Sequence, residues 1–163
     1  MNCPGCGAAM RLEEDKTYLT CDYCTTPFFP EPNGDGVRDL GAPADSLCPV
    51  CGVPLAHAAI GDHRVFSCER CRGILLPMPL LVDLIGELRP HAGSGAARLP
   101  SPRDLERKIR CPKCHQPMDT HPYAGGGNVV IDSCSRCFLD WLDYGELQRI
   151  LHAPDHESNG SLL

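Results

Sequence analysis

The twelve cysteines constrain this chain more than any other feature, because all of them fall into pairs with two residues between the partners. A chain of 163 residues with 16 Gly, 16 Pro and 6% aromatic residues is poor material for one continuous hydrophobic core. Small modules with another source of stability suit this composition better. The six pairs are Cys3 and Cys6, Cys21 and Cys24, Cys48 and Cys51, Cys68 and Cys71, Cys111 and Cys114, and Cys134 and Cys137.

The spacing within each pair is that of a metal-binding turn. Two such turns can place four thiolates around one ion at about 2.3 Å. Proline follows the first cysteine of every leading pair, and Gly7 and Gly52 follow the second cysteine in two of them, whereas the third copy has His115. We therefore predict three Zn²⁺ ions, each held by four cysteines, with all twelve cysteines as ligands.

Two other uses of paired cysteines compete with structural zinc. A rubredoxin-like iron site uses the same four thiolates, so the spacing alone leaves an iron electron carrier open as an alternative. A redox-active pair would need a thioredoxin-like βαβ scaffold, and the sequence has no such pattern.

We call the tight turn that carries one cysteine pair a knuckle. The chain repeats the same order three times: a knuckle, a hairpin, a second knuckle and an apolar segment that covers the ribbon. This repetition predicts a small, metal-stabilised fold of three tandem zinc ribbons, which are short β-hairpins with two cysteine knuckles each and short appended helices. The predicted organisation is zinc ribbon 1 at 1–30, a linker at 31–46, zinc ribbon 2 plus a helix at 47–89, a linker at 90–101, a short helix plus zinc ribbon 3 with a C-terminal helix at 102–153, and a mobile tail at 154–163.

Several elements can be placed within these ribbons. Residues 63–67 alternate as a strand does, and residues 129–131 form a second strand after a glycine-rich turn. A helix is predicted from Leu80 to Arg89, another after an N-cap at Ser101, and a third after a capping box of Asp143 and Glu146.

The third ribbon also carries a family signature. Its second knuckle leads into Trp141-Leu142-Asp143-Tyr144-Gly145-Glu146-Leu147. This segment resembles the bacterial TFIIB-type transcription-factor zinc-ribbon family, in which the last knuckle is followed by Gly-Gly-Ile-Trp-Leu-Asp-x-Gly-Glu-Leu. Phe138-Leu139-Asp140 replaces Gly-Gly-Ile here, the second ribbon keeps only Gly73-Ile74, and the first resembles a generic zinc ribbon. The resemblance implies zinc binding and an adaptor role.

The chemistry of these sites argues against an enzyme. A four-thiolate site has no open coordination position, so it holds the fold and performs no hydrolysis. No Ser/His/Asp order, phosphate loop or paired carboxylate pattern is evident, so we predict neither catalysis nor a small-molecule substrate. We expect Trp141 to pack the last helix on its ribbon rather than to recognise a ligand.

Charge and hydropathy indicate location. The formal charge is −6, and three four-thiolate zinc sites would bring it to about −12. The N-terminal residues lack the pattern of a secretory signal, and the apolar stretch at 74–88 is interrupted by prolines and acidic residues. We therefore expect a cytoplasmic protein with no membrane partner.

Two surfaces are candidates for partners. The apolar face of the helix at 80–89 is wider than one ribbon can cover, so we predict an adaptor or accessory subunit of a protein assembly that binds another protein there. The predicted contacts are Leu80, Leu81, Leu84, Ile85 and Leu88. The alternative is a nucleic-acid-binding or transcription-associated protein that uses the basic segment, with Arg103, Arg107, Lys108, Arg110 and Lys113 on phosphates.

Overall fold

The strands form two separate sheets in the computed structural model, which describes residues 1–89, 102–123 and 128–153. One sheet has three strands in the order β1-β2-β3, and the other has seven in the order β4-β5-β6-β7-β10-β9-β8. The strands are β1 (Met10–Leu12), β2 (Leu19–Cys21), β3 (Pro27–Phe28), β4 (Val37–Leu47), β5 (Pro54–Ile60), β6 (His63–Ser67), β7 (Ile74–Pro77), β8 (Asp119–Pro122), β9 (Val130–Cys134) and β10 (Leu139–Leu142). The helices are α1 (Met78–Leu88), α2 (Pro102–Glu106) and α3 (Glu146–Leu151).

Three tandem zinc ribbons are present, as the cysteine spacing predicts. The first ribbon pairs β1 with β2 so that Met10 lies opposite Cys21, and β3 adds a third short strand. The second ribbon is built on β5, β6 and β7, and the third on β8, β9 and β10. The strand predicted at residues 63–67 is β6, and the one predicted at 129–131 lies largely within β9.

The second and third ribbons share one sheet because their last strands pair with each other. β7 runs antiparallel to β10, with Leu75 opposite Trp141 and Ile74 opposite Leu142. Leu75 and Trp141 each stand four residues after the last cysteine of their ribbon. The pairing therefore relates the two ribbons by an approximate two-fold axis, and it covers an edge strand that each would otherwise expose.

The predicted linker at 31–46 is wrong in part, because most of it belongs to β4. This strand pairs with β5, with irregular register between Asp39 and Pro43 and again between Pro43 and Leu47. Val37 and Leu40 anchor it with exposures of 3% and 1%. The residues that suggested a linker, such as Gly41 with a φ of 69°, fall where the register is irregular. The linker at 90–101, the tail at 154–163 and the turn at 124–127 lie outside the described residues.

Helices α1 and α3 build one core against the shared sheet. Leu81 and Leu84 of α1 pack in the same cluster as Leu147 and Ile150 of α3. Leu81 and Leu84 have exposures of 1% and 0%, so both leucines are wrong as partner contacts. The wide face of α1 is covered by the protein's own third ribbon. Leu80 and Ile85 pack at the margin of this cluster, and Leu88 is 41% exposed. No helix in the described ranges is long and apolar enough to cross a membrane.

Candidate metal centres

Each ribbon brings its four cysteines together at one point. Within each of the three groups the Sγ atoms all lie within 4.8 Å of one another. The separations include 3.7 Å for Cys3 and Cys24, 3.7 Å for Cys48 and Cys71, and 3.6 Å for Cys114 and Cys134. A tetrahedron with Zn–S bonds of about 2.3 Å has edges of about 3.8 Å, whereas a disulfide needs about 2.05 Å. The three groups therefore suit zinc.

The six knuckles share a backbone device. In each knuckle, the residue four positions after the first cysteine has a positive φ, between 54° and 75°. In five knuckles its N–H donates to the carbonyl of the first cysteine, as in the 2.8 Å bond from Gly7 to Cys3. Gly7 and Gly52 take this conformation without strain, but the other four residues carry side chains. They are Thr25, Arg72, His115 and Phe138.

Backbone amides and nearby hydroxyls stabilise the thiolate form that a metal requires. The amide of Cys51 donates to Cys48 Sγ at 3.3 Å. The hydroxyl and amide of Thr26 lower the pKa of Cys24 to about 6, and the amide of Gln116 lowers the pKa of Cys114 to about 7. Burial and the neighbouring thiols raise the pKa of other cysteines, to about 11 for Cys48 and about 12 for Cys137, so a bound cation is needed to hold all four sulfurs of a group as thiolates.

The third ribbon is the part of the chain that comparison with known proteins identifies. Residues 110–153 match the family described as transcription factor zinc-finger, of the TFIIB-type zinc ribbons. The third ribbon is similar to the TFIIB-type zinc ribbons. This match confirms the resemblance carried by the segment from Trp141 to Leu147 and covers the four-cysteine group of that ribbon. The comparisons with curated proteins and with solved structures found no significant match.

The third ribbon uses its tryptophan as an internal plug, as the sequence predicts. Trp141 has an exposure of 0%, and its Nε1 donates to Asp143 Oδ1 at 3.1 Å. Its ring lies against Gly73 of the second ribbon, where a Cβ atom would stand 2.2 Å from Trp141 Cζ2. The tryptophan therefore joins the two ribbons in addition to filling its own.

The basic segment is only partly available to a ligand. Arg107 is turned inward, where its guanidinium pairs with the buried Asp132 and with Asp143, and these carboxylates raise its pKa against the effect of burial. Arg110 is exposed and donates to the carbonyl of His115 at 3.1 Å. Arg103, Lys108 and Lys113 are exposed. Arg107 is thus a structural residue rather than a phosphate contact.

Sequence reasoning missed a polar group on the third ribbon. Ser133 Oγ donates to Asp140 Oδ1 at 2.6 Å and lies 3.0 Å from His121 Nε2. Asp140 is 4% exposed, and burial raises its pKa, although hydrogen bonding to Ser133 opposes this. The signal was in the sequence, because Asp140 stands where the family pattern has isoleucine. A buried acid in place of an apolar side chain indicates a special role.

Proposed function

We propose that this protein is a non-enzymatic zinc-binding adaptor or accessory subunit that joins other proteins through the exposed surfaces around its ribbons. Its three four-thiolate groups would hold three Zn²⁺ ions as structural centres. Twelve free thiols suit the reducing conditions of the cytoplasm.

The observation that carries this proposal is the exposure of aromatic side chains at the knuckles. Tyr23, within the second knuckle of the first ribbon, is 82% exposed, and Phe138, just after the second knuckle of the third ribbon, is 65% exposed. Aromatic residues are enriched at the centres of protein interfaces. A chain with so few aromatic residues that leaves two of them exposed on rigid turns presents good anchors for a partner.

Affinity purification of the tagged, zinc-loaded chain tests the adaptor role. We expect defined partners that are lost or weakened with Tyr23→Ala or Phe138→Gly. Phe138→Gly should fold well because the φ of 54° suits glycine. Val50→Ala is the matched control, since Val50 is also an exposed apolar residue on a knuckle. Absence of any specific partner, or partners indifferent to both aromatic variants, would refute the proposal.

The polar group at Ser133 supports the non-enzymatic reading. A serine nucleophile needs an imidazole that accepts its proton, with the carboxylate behind the imidazole. Here the serine lies between the imidazole and the carboxylate, and it donates to Asp140. Incubation of the zinc-loaded protein with activated esters should give no turnover above that of Ser133→Ala.

Nucleic-acid binding is the second candidate, favoured by the family match of the third ribbon and by the exposed Arg103, Lys108 and Lys113. Fluorescence anisotropy with labelled single- and double-stranded DNA and RNA at two salt concentrations tests it. Binding that weakens with salt and is lost in Lys108→Glu/Lys113→Glu, but not in the control Lys16→Glu, would support it.

Metal analysis separates zinc from iron, because a red, reducible protein would favour the electron carrier.

A further inference from the structure

An open cleft of about 410 Å³ lies between the first turn of α1 and the outer strands of the third ribbon. One side is aliphatic, with Leu81 and Val82 from α1 and Ile131 from β9. The ring of Tyr123 and the carboxylates of Asp119 and Asp140 also line it. The strand register explains the polar side, because Asp119 and Asp140 both lie directly opposite Ser133.

Asp140 is the polar group best placed to hold a ligand here. It is 4% exposed, yet it lines the cleft. Its Oδ1 accepts the hydrogen bond from Ser133, and no residue in the described ranges donates to Oδ2. His121 Nε2 is bonded to Ser133 rather than to this carboxylate. A buried carboxylate with one open oxygen favours a positively charged donor.

The surroundings favour a cation as well. Two carboxylates, those of Asp140 and the exposed Asp119, line the cleft against one imidazole, that of His121, and the chain carries a formal charge of −6. The N-terminus of α1 would attract an anion rather than a cation, but only if its first backbone N–H groups were free to donate. However, the N–H of Met78 is already bonded to the carbonyl of Phe138 at 3.0 Å and Pro79 has no N–H, so of the first three residues of the helix only Leu80 could donate to an anion.

We propose that this cleft binds the ammonium group of a lysine side chain on a partner polypeptide. Val82 and Ile131 would contact its methylene groups, Asp140 Oδ2 would accept from the ammonium, and the Tyr123 ring would lie beside the charge. Arginine is disfavoured because a guanidinium pairs best with both oxygens of a carboxylate, and Oδ1 of Asp140 already accepts a hydrogen bond from Ser133. The inference rests on the proposed adaptor role and adds the chemistry of the partner.

Nuclear magnetic resonance of the zinc-loaded full chain tests the inference with three small probes that share one alkyl stem. We expect n-butylammonium to give saturable shifts at Val82, Ile131 and Tyr123, while n-butanol and n-butylguanidinium bind more weakly. Asp140→Asn should weaken n-butylammonium binding by about tenfold or more, because it removes the charge but keeps the shape. The exposed Asp62→Asn is the control for net charge. Equal binding of n-butanol, tighter binding of the guanidinium or an unaffected Asp140→Asn variant would overturn the proposal.

A second variant keeps the test decisive if Asp140→Asn does not fold. Val82 is 64% exposed at the cleft, so Val82→Trp should block the cleft without disturbing the core. We expect it to abolish binding of n-butylammonium and of a short peptide with one central lysine, whereas the acetylated-lysine peptide should not bind the unmodified protein. Binding of the free amine but not of the lysine peptide would overturn the polypeptide partner.

The same variant separates this inference from the adaptor role. If Val82→Trp loses the probes but keeps every partner recovered by the tagged chain, the lysine assignment fails and the adaptor role stands. If no specific partner is recovered with either chain, the adaptor role itself fails.

Discussion

At the scale of single residues, Gly73 shows how closely the second and third ribbons approach. A Cβ at this position would lie 2.2 Å from Trp141 Cζ2 and 2.8 Å from Cη2. The tryptophan ring is rigid and has an exposure of 0%, so it cannot move aside without opening the core. The Gly-Ile pair that the second ribbon keeps from the family pattern therefore matters for packing against its neighbour.

We expect Gly73→Ala to lower the free energy of unfolding by about 1–3 kcal/mol, since it overpacks the contact with Trp141. Gly86→Ala is the matched control, because Gly86 lies on the exposed side of α1 with nothing within 4 Å of a Cβ. That change should stabilise the protein by about 1 kcal/mol through helix propensity. Urea unfolding of the two zinc-loaded variants measures both effects, and equal effects on stability would contradict the proposed contact.

Glu146 is a buried acid whose ionisation should make stability depend on pH. Burial raises its pKa from 4.5 to about 8, although the N–H of Asp143 donates to its Oε2 at 2.7 Å. Between these two values the folded chain keeps a proton that the unfolded chain has released. The stability that Glu146 contributes by keeping this proton is fully present below pH 4.5 and is lost as pH rises through about 8. Between these values the free energy of unfolding falls by up to about 1.4 kcal/mol per pH unit.

Glu146→Gln should remove this slope, because glutamine keeps the acceptor but does not ionise. Unfolding by urea from about pH 6 to about pH 8 should show the variant gaining stability relative to the original chain as pH rises. The exposed Glu14→Gln should show no such trend. A constant difference between Glu146→Gln and the original chain across this range would mean that the burial of Glu146 does not govern its ionisation.

At the scale of elements, the three metal centres differ in their exposure to solvent. Cys6 and Cys24 of the first ribbon are exposed, whereas every cysteine of the other two groups is buried or half-buried. The first ribbon also has a sheet of three very short strands, while the others share a sheet of seven. Access of water and chelator to the sulfur atoms should therefore be greatest in the first ribbon.

We expect a chelator to remove one zinc ion from the first ribbon about tenfold faster than the other two. A chromogenic zinc indicator would record the phases, and Cys24→Ser should abolish the fast phase alone. Three ions leaving at one rate, or a fast phase that persists in Cys24→Ser, would show that exposure does not control release.

The elements also show how far sequence patterns can be trusted. The cysteine spacing was sufficient to predict all three four-cysteine groups, and the period of apolar residues was sufficient to predict α1. The capping box before α3 formed only in part, since Glu146 bonds the N–H of Asp143 but the Asp143 carboxylate pairs with Arg107. Gly145 instead donates to Asp35 Oδ2 at 2.6 Å, a partner 110 residues away that no local pattern could indicate.

Residues 37–47 show a second limit. Turn-forming residues such as Gly41 and Pro43 concealed β4, because an irregular strand and a linker share the same composition. The cleft beside Asp140 depends on the pairing of β8, β9 and β10 and on the approach of α1. Substitution of an apolar family position by Asp140 could flag the residue, but only the tertiary structure shows the space next to it.

At the scale of the whole molecule, the second and third ribbons should behave as one unit. β7 pairs with β10, and α1 and α3 pack in one cluster with side chains from both ribbons. The first ribbon contacts this unit through the carbonyl of Lys16, which accepts from Arg64 of β6. The segment after the first ribbon contacts it through Asp35, which accepts from the N–H of Gly145. Within the described residues the first ribbon thus meets the rest through this hydrogen bond from Arg64 and through the Phe29 ring, which lies 5.5 Å from the guanidinium of Arg38, whereas the other two ribbons share an apolar core.

We expect damage to the third metal group to spread to the second ribbon but not to the first. In Cys114→Ser the third ribbon should lose its zinc, and the amides of β7 should exchange faster because their partner strand β10 is no longer held. The second ribbon should then release its zinc to a chelator faster than in the original chain. Cys24→Ser is the control, and it should leave β7 exchange unchanged. Slow exchange of β7 in Cys114→Ser would show that the two ribbons fold independently in spite of the sheet and core they share.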